Sequence, residues 1–293
     1  MRDSALDETT GRSGIDAPDD RSPGRAVAVA VGLGVLGPLI ALVSVAGVGL
    51  INAVAGLGLI ALVVLGLFFG QYVAFAGLAV GYLAARGLDG PGIRSYLGVG
   101  WPSLREVGLV IGGWLAILVL LTVVGGVVSA LGAETASNQS AELASENPGI
   151  IPVLIAASFL VIGPCEELLY RGAVQGRLRE SLPAVPSIVI ASAIFAAVHV
   201  MALTGGVGAR LTTVALLFVP SLVLGGVYEY TGNIVVPALL HGLHNAVLFT
   251  ALYVVVTSGG ELPDPGTGTG TGTESAGALA GALDPVWLAA LLA

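Results

Sequence analysis

From Ala26 to Ala85 the chain carries no charged residue. A helix needs roughly 20 apolar residues to cross the hydrocarbon core of a bilayer. This run is about three times that length, too long for one span and right for two with a turn between them. Asn52 and the glycines around it mark the turn. Apolar segments of the same kind recur to about residue 256. Only 10% of the 293 residues are charged and 55% are hydrophobic, against about 25% charged in soluble domains. The expected fold is therefore an all-α polytopic membrane bundle of about seven or eight helices.

The remaining spans follow from the same pattern. "RGLDGPGIRSYLGVGWPSLRE", 86–106, is a loop, and Val107 to Leu131 is a third span. "GAETASNQSAELASENPG", 132–149, is a polar loop. A fourth span starts near Ile150 and runs into "GPCEELLYRG", continuing from Arg171 as a polar helix or turn. Further spans are expected at about 184–203, 211–228 and 234–256. Together these make a membrane domain over 26–256. Residues 1–25 read as an acidic disordered tail without the apolar core of a signal peptide. Residues 257–275 are a Gly/Thr linker. The short apolar segment 276–293 holds Asp284 and Pro285 and suits either an eighth span or an interfacial helix.

All eleven basic residues are arginines. With the N-terminus in the cytoplasm, ten of the eleven fall on cytoplasmic segments and only Arg210 outside, as the positive-inside rule requires. An acidic, lysine-free composition rich in Gly and Ala fits a salt-adapted surface or a GC-rich genome. No basic patch suggests nucleic-acid binding. Cys165 is the only cysteine, so there is no disulfide framework, and it reads as a small packed residue.

Ionisable residues inside membrane spans are costly and mark function. Here they cluster: Glu166, Glu167, His199, His241 and His244, with Asn245 as a buried amide. Glu167 and Arg171 are four apart and share a helix face, whereas Glu166 is turned about 100° from Glu167. Phe195 and His199 share one face of the fifth span, and His241 and Asn245 one face of the seventh. At about 1.5 Å per residue from guessed boundaries, Glu166 lies roughly 16 Å deep, His199 roughly 18 Å, His241 roughly 10 Å and Asn245 roughly 16 Å. Three helices can thus present Glu, His, His and Asn to one cavity, expected to open to the cytoplasmic side.

Peptide hydrolysis needs an activated water, a general base and donors for the oxyanion, and this set supplies each kind of group. The same Glu and His donors, Glu166, His199 and His241, could ligate zinc. The usual zinc-protease pattern H-E-x-x-H is absent. Buried glutamates also suit a proton- or ion-linked transporter, but no internal repeat accompanies them.

In order along the chain stand E-E-x-x-x-R at 166–171, F-x-x-x-H at 195–199 and H-x-x-x-N at 241–245. This arrangement resembles the CPBP family of CAAX proteases and bacteriocin-processing enzymes, also called Abi, over roughly 86–256. The resemblance implies an intramembrane endopeptidase of the cell membrane, acting on a peptide or membrane-protein substrate. It implies that Glu166 and His199 activate the water, that His241 and Asn245 form the oxyanion site, and that Glu167 and Arg171 hold the motif helix in place. No metal or other cofactor is required on this reading, although the family has been described both as metalloproteases and as metal-independent glutamic proteases. His244 falls outside the motif and reads as a packing or supporting residue. A family member without hydrolytic activity would instead be a membrane scaffold or binding protein.

Overall fold

The computed structural model describes residues 22–259. The acidic tail up to residue 21, most of the Gly/Thr linker and the last apolar segment lie outside the described residues. Within them the protein is all-α, with seven helices long and apolar enough to cross a membrane: Pro23–Ala55 (α1), Leu59–Ala85 (α2), Leu104–Ala130, Pro148–Arg179, Ala184–Ala202, Val207–Thr231 and Val235–Thr257. Two short helices sit between spans. Gly90–Leu97 (α3) precedes Leu104–Ala130 (α4), and Gln139–Glu146 (α5) precedes Pro148–Arg179 (α6). The last three spans are α7 (Ala184–Ala202), α8 (Val207–Thr231) and α9 (Val235–Thr257). The only strand pairing among the described residues is a two-residue antiparallel bridge, β1 (Ser137–Asn138) with β2 (Leu203–Thr204).

Local chemistry sets the ends. Ser22 caps α1, whose first residue is Pro23, and Gly56 ends it in a left-handed conformation (φ 62°). The turn therefore lies at 56–58, just past Asn52, whose side chain closes it by accepting the Leu57 N–H at 2.7 Å. The 86–106 loop is partly helical because Asp89 caps α3 and Gly98 (φ 65°) stops it. Ser103 and Glu106 form a reciprocal capping box at the start of α4, which satisfies two helix-end N–H groups.

α9 is the central helix, packed against α4, α5, α6 and α8, while α1 covers α2, α6 and α7. Most large exposed side chains are apolar, such as Val43 (72%), Leu50 (74%) and Val54 (93%), as a lipid-facing surface demands. The segment after Arg171 takes the helical of the two expected forms, but its polar side chains are buried. α6 continues unbroken to Arg179, and Tyr170, Arg171, Gln175 and Arg177 are all buried.

Two helices depart from regular α geometry. α2 is π-helical over Phe68–Ala76, and α6 over Ser158–Ile162 and Leu168–Gln175. The α-helical turn Gly163–Glu167 lies between the two stretches of α6. Widened turns of this kind concentrate at functional sites.

Candidate active site

The double glutamate sits where α6 meets α9 at close range. A Cβ on Gly163 would lie 2.6 Å from the Ala238 carbonyl oxygen, and one on Gly242 would lie 2.9 Å from the Ser158 oxygen. Only glycine permits this approach, which brings Glu167 against His241. Small residues serve this purpose between membrane helices.

Glu167 is fully buried and makes two strong contacts. Its Oε2 accepts from Arg171 Nε at 2.9 Å, and its Oε1 lies 2.9 Å from His241 Nδ1. A carboxylate can only accept there, so Nδ1 carries a ring proton. The opposite nitrogen, Nε2, then faces Glu166, whose Oε2 is 3.9 Å away. Glu166 also accepts from Gln71 of α2, Nε2 to Oε1, at 3.0 Å. The turn between adjacent glutamates thus separates their settings: Glu166 lines the cavity, whereas Glu167 lies behind it, locked to two partners.

Arg171 completes the frame. Its Nη2 donates to Ser221 Oγ of α8 at 2.9 Å. Its guanidinium carbon lies 5.4 Å from the centre of the Phe195 ring, within cation–π range. Phe195 in turn packs on Tyr170 at 4.9 Å, His199 at 4.5 Å and His241 at 6.0 Å between ring centres. Its place in the F-x-x-x-H pattern therefore has a physical basis: it is the apolar wall that holds both imidazoles and the arginine. His199 Nδ1 lies 2.7 Å from the Phe195 carbonyl oxygen. A carbonyl only accepts, so the Nδ1 proton goes there and a neutral ring keeps its lone pair on Nε2.

Glu166, His199, His241, His244 and Asn245 all line one cavity of about 510 Å³. His244 is buried, and its Nδ1 has no hydrogen-bond partner in the protein. Gln71 and Ser221 are contacts that the sequence reading missed. Ser221 carried no signal, but Gln71 did: it is the one amide side chain in the long apolar span α2.

The candidate metal ligands Glu166, His199 and His241 line one cavity. Among the described residues no three His, Cys, Asp or Glu side chains gather to hold an ion.

The cavity runs toward the end of the bundle that carries α5, where Asn138, Gln139, Ser140 and Met201 line it. Gln139, Ser140 and Met201 are exposed, whereas Tyr170, Phe75 and Leu224, on the other walls, are buried. Toward the arginine-rich end the protein is filled by buried Arg171, Gln175 and Arg177. The sequence expects an opening at that end, but the lining residues extend away from it.

Fold and site together define a multi-pass membrane protein with a buried Glu/His constellation at its centre. Residues 148–247 match the family model described as type II CAAX prenyl endopeptidase Rce1-like. That segment spans α6, α7, α8 and half of α9 and holds every motif residue. The match is narrower than the stretch 86–256 over which the sequence resembles the family. No curated protein and no solved structure matches the chain.

Proposed function

We propose that this protein is an intramembrane endopeptidase that hydrolyses a peptide bond of a membrane-associated substrate with water activated by Glu166 and His199. The observation that carries the reading is the pairing of Glu166 Oε2 with His241 Nε2 across 3.9 Å at the cavity wall. A base and an electrophilic donor then stand side by side on one wall, both facing the cavity that would take the water and the scissile carbonyl.

In this mechanism the water oxygen attacks the carbonyl carbon and its proton passes to Glu166. The His199 Nε2 lone pair orients the water. The carbonyl oxygen becomes an oxyanion that accepts from the Asn245 amide and from Nε2–H of a doubly protonated His241 ring, whose Nδ1–H is given to Glu167. Glu167 stabilises a proton shared with His241 through Nδ1, as a carboxylate partner does for an imidazole during acyl transfer. The tetrahedral intermediate then collapses. The C–N bond breaks, and the proton held by Glu166 passes to the leaving nitrogen. Preorganised donors of this kind contribute the largest single part of such a rate enhancement.

The family description supports a C-terminal processing substrate, and the apolar cavity wall formed by α1 and α2 supports a membrane-associated one. The test is hydrolysis of a quenched peptide panel by detergent-purified protein, comparing wild type with Glu166→Gln and His199→Ala. Equal cleavage by all three would sink the assignment.

A further inference from the structure

We infer that Gln71, in the second span and outside the matched family segment, is a positioning residue for Glu166. The inference rests on the peptidase reading of the site.

Gln71 stands among apolar residues in α2, where an amide is expensive to bury unless it is hydrogen-bonded. Its Nε2 donates to Glu166 Oε1 at 3.0 Å. The opposite amide orientation would set two oxygens against each other, so an ionised Glu166 fixes this one. With Oε1 held, the carboxylate cannot rotate freely, and Oε2 is left facing His241 Nε2 at 3.9 Å. The base is thereby aimed at the place where the proton must be taken.

Three observations separate this from ordinary helix–helix adhesion. The first is the state of the amide oxygen. Gln71 Oε1 is buried with no hydrogen-bond partner in the protein, whereas an amide kept only to join helices would have both of its ends satisfied. The second is the backbone: Gln71 lies inside the π-helical stretch Phe68–Ala76, a departure from α geometry that resets the side-chain direction at this point of the span. The third is location. Gln71 lines the same cavity as Glu166, His199 and His241. The neighbouring Tyr72 carries the structural contact instead, donating to the Leu160 carbonyl at 2.8 Å from the exposed side of the helix.

The test uses the full-length protein with Gln71→Met, which keeps the length but removes the amide, and Gln71→Asn, which keeps the amide but shortens its reach. With a cleaved peptide, Gln71→Met should lower kcat at least tenfold with KM within about twofold and thermal unfolding unchanged. Gln71→Asn should recover part of kcat. A second readout needs no activity: the carboxyl stretch of protonated Glu166 in acid-induced infrared difference spectra, identified by its loss in Glu166→Gln. That band should move to higher wavenumber in Gln71→Met, because the donor to its oxygen is gone. A Gln71→Met protein with wild-type kcat overturns the proposal, whatever the band does. If wild type cleaves nothing, the peptidase reading falls by itself. The infrared band then decides for Gln71: an unmoved band overturns the contact, and a shifted one upholds its hold on Glu166.

Discussion

Glu167 and His241 are bonded across two helices, with Oε1 2.9 Å from Nδ1, and the same carboxylate holds Arg171 Nε at 2.9 Å. All three groups are buried. Removing one charge from such a set leaves the others uncompensated in a low-dielectric interior, which costs about 3–5 kcal/mol. Glu167→Gln should therefore lower the unfolding midpoint in detergent substantially, together with any activity. Wild-type melting in this variant would contradict the structural role.

The neighbouring acid should behave in the opposite way. Glu166 lines the cavity, and its contacts are one amide donor and a distant imidazole. Glu166→Gln should melt with wild type yet lose kcat by about 10²–10⁴-fold, the range for removing a positioned general base. His199→Ala should follow it on kcat. Two adjacent glutamates would then give opposite signatures, one in stability and one in turnover.

Much of this was legible in the sequence, and the reason is the solvent. In a bilayer every charge stands out, so the seven spans and the cluster of Glu166, Glu167, His199 and His241 could be read from composition and helical spacing alone. What stayed hidden depends on tertiary contact. Gln71 is one amide with no motif around it, and only the packing of α2 on α6 shows its partner. Arg177 counts among the ten arginines assigned to cytoplasmic segments, yet its side chain is buried. The π-helical stretches have no sequence signature that counting could detect. The direction of the cavity depends on how the helices tilt and on where α5 and the β1–β2 bridge fold back, and neither follows from span boundaries.

The close approach of α6 and α9 makes a third prediction. Gly242 would place a Cβ 2.8 Å from Phe159 Cδ1 and 2.9 Å from the Ser158 carbonyl oxygen. The carbonyl cannot swing aside as a flexible side chain could. Gly242→Ala must push the helices apart and lengthen the Glu167–His241 bond. We expect a cost of about 1–3 kcal/mol, as for overpacking elsewhere, and a loss of turnover without any change in a polar group. Wild-type stability and activity in Gly242→Ala would show that the contact is not tight.

Metal removal gives a fourth. Glu166 and His241 are neighbours, but no third His, Cys, Asp or Glu gathers with them to hold an ion among the described residues. Peptide cleavage should survive prolonged treatment with strong chelators. Loss of activity that zinc restores would overturn the metal-free mechanism, because metal-dependent sites are stripped under such conditions.

The mouth of the cavity is the last. Gln139 and Ser140 are exposed and line it, at the end of the bundle held by the β1–β2 bridge and by the Thr204 hydroxyl donating to Glu142 at 2.6 Å. The lone native thiol, Cys165, is buried, so a Cys165→Ala background leaves no competing cysteine. In that background Ser140→Cys should react with a bulky water-soluble maleimide, and the modification should block peptide cleavage, because the adduct would stand in the only polar rim that the lining reaches among the described residues. A cysteine at Arg94, near the opposite end, should react without affecting cleavage. Comparing intact and permeabilised cells would show which membrane face each site occupies. Inhibition through position 94 with none through position 140 would place substrate access at the arginine-rich end instead.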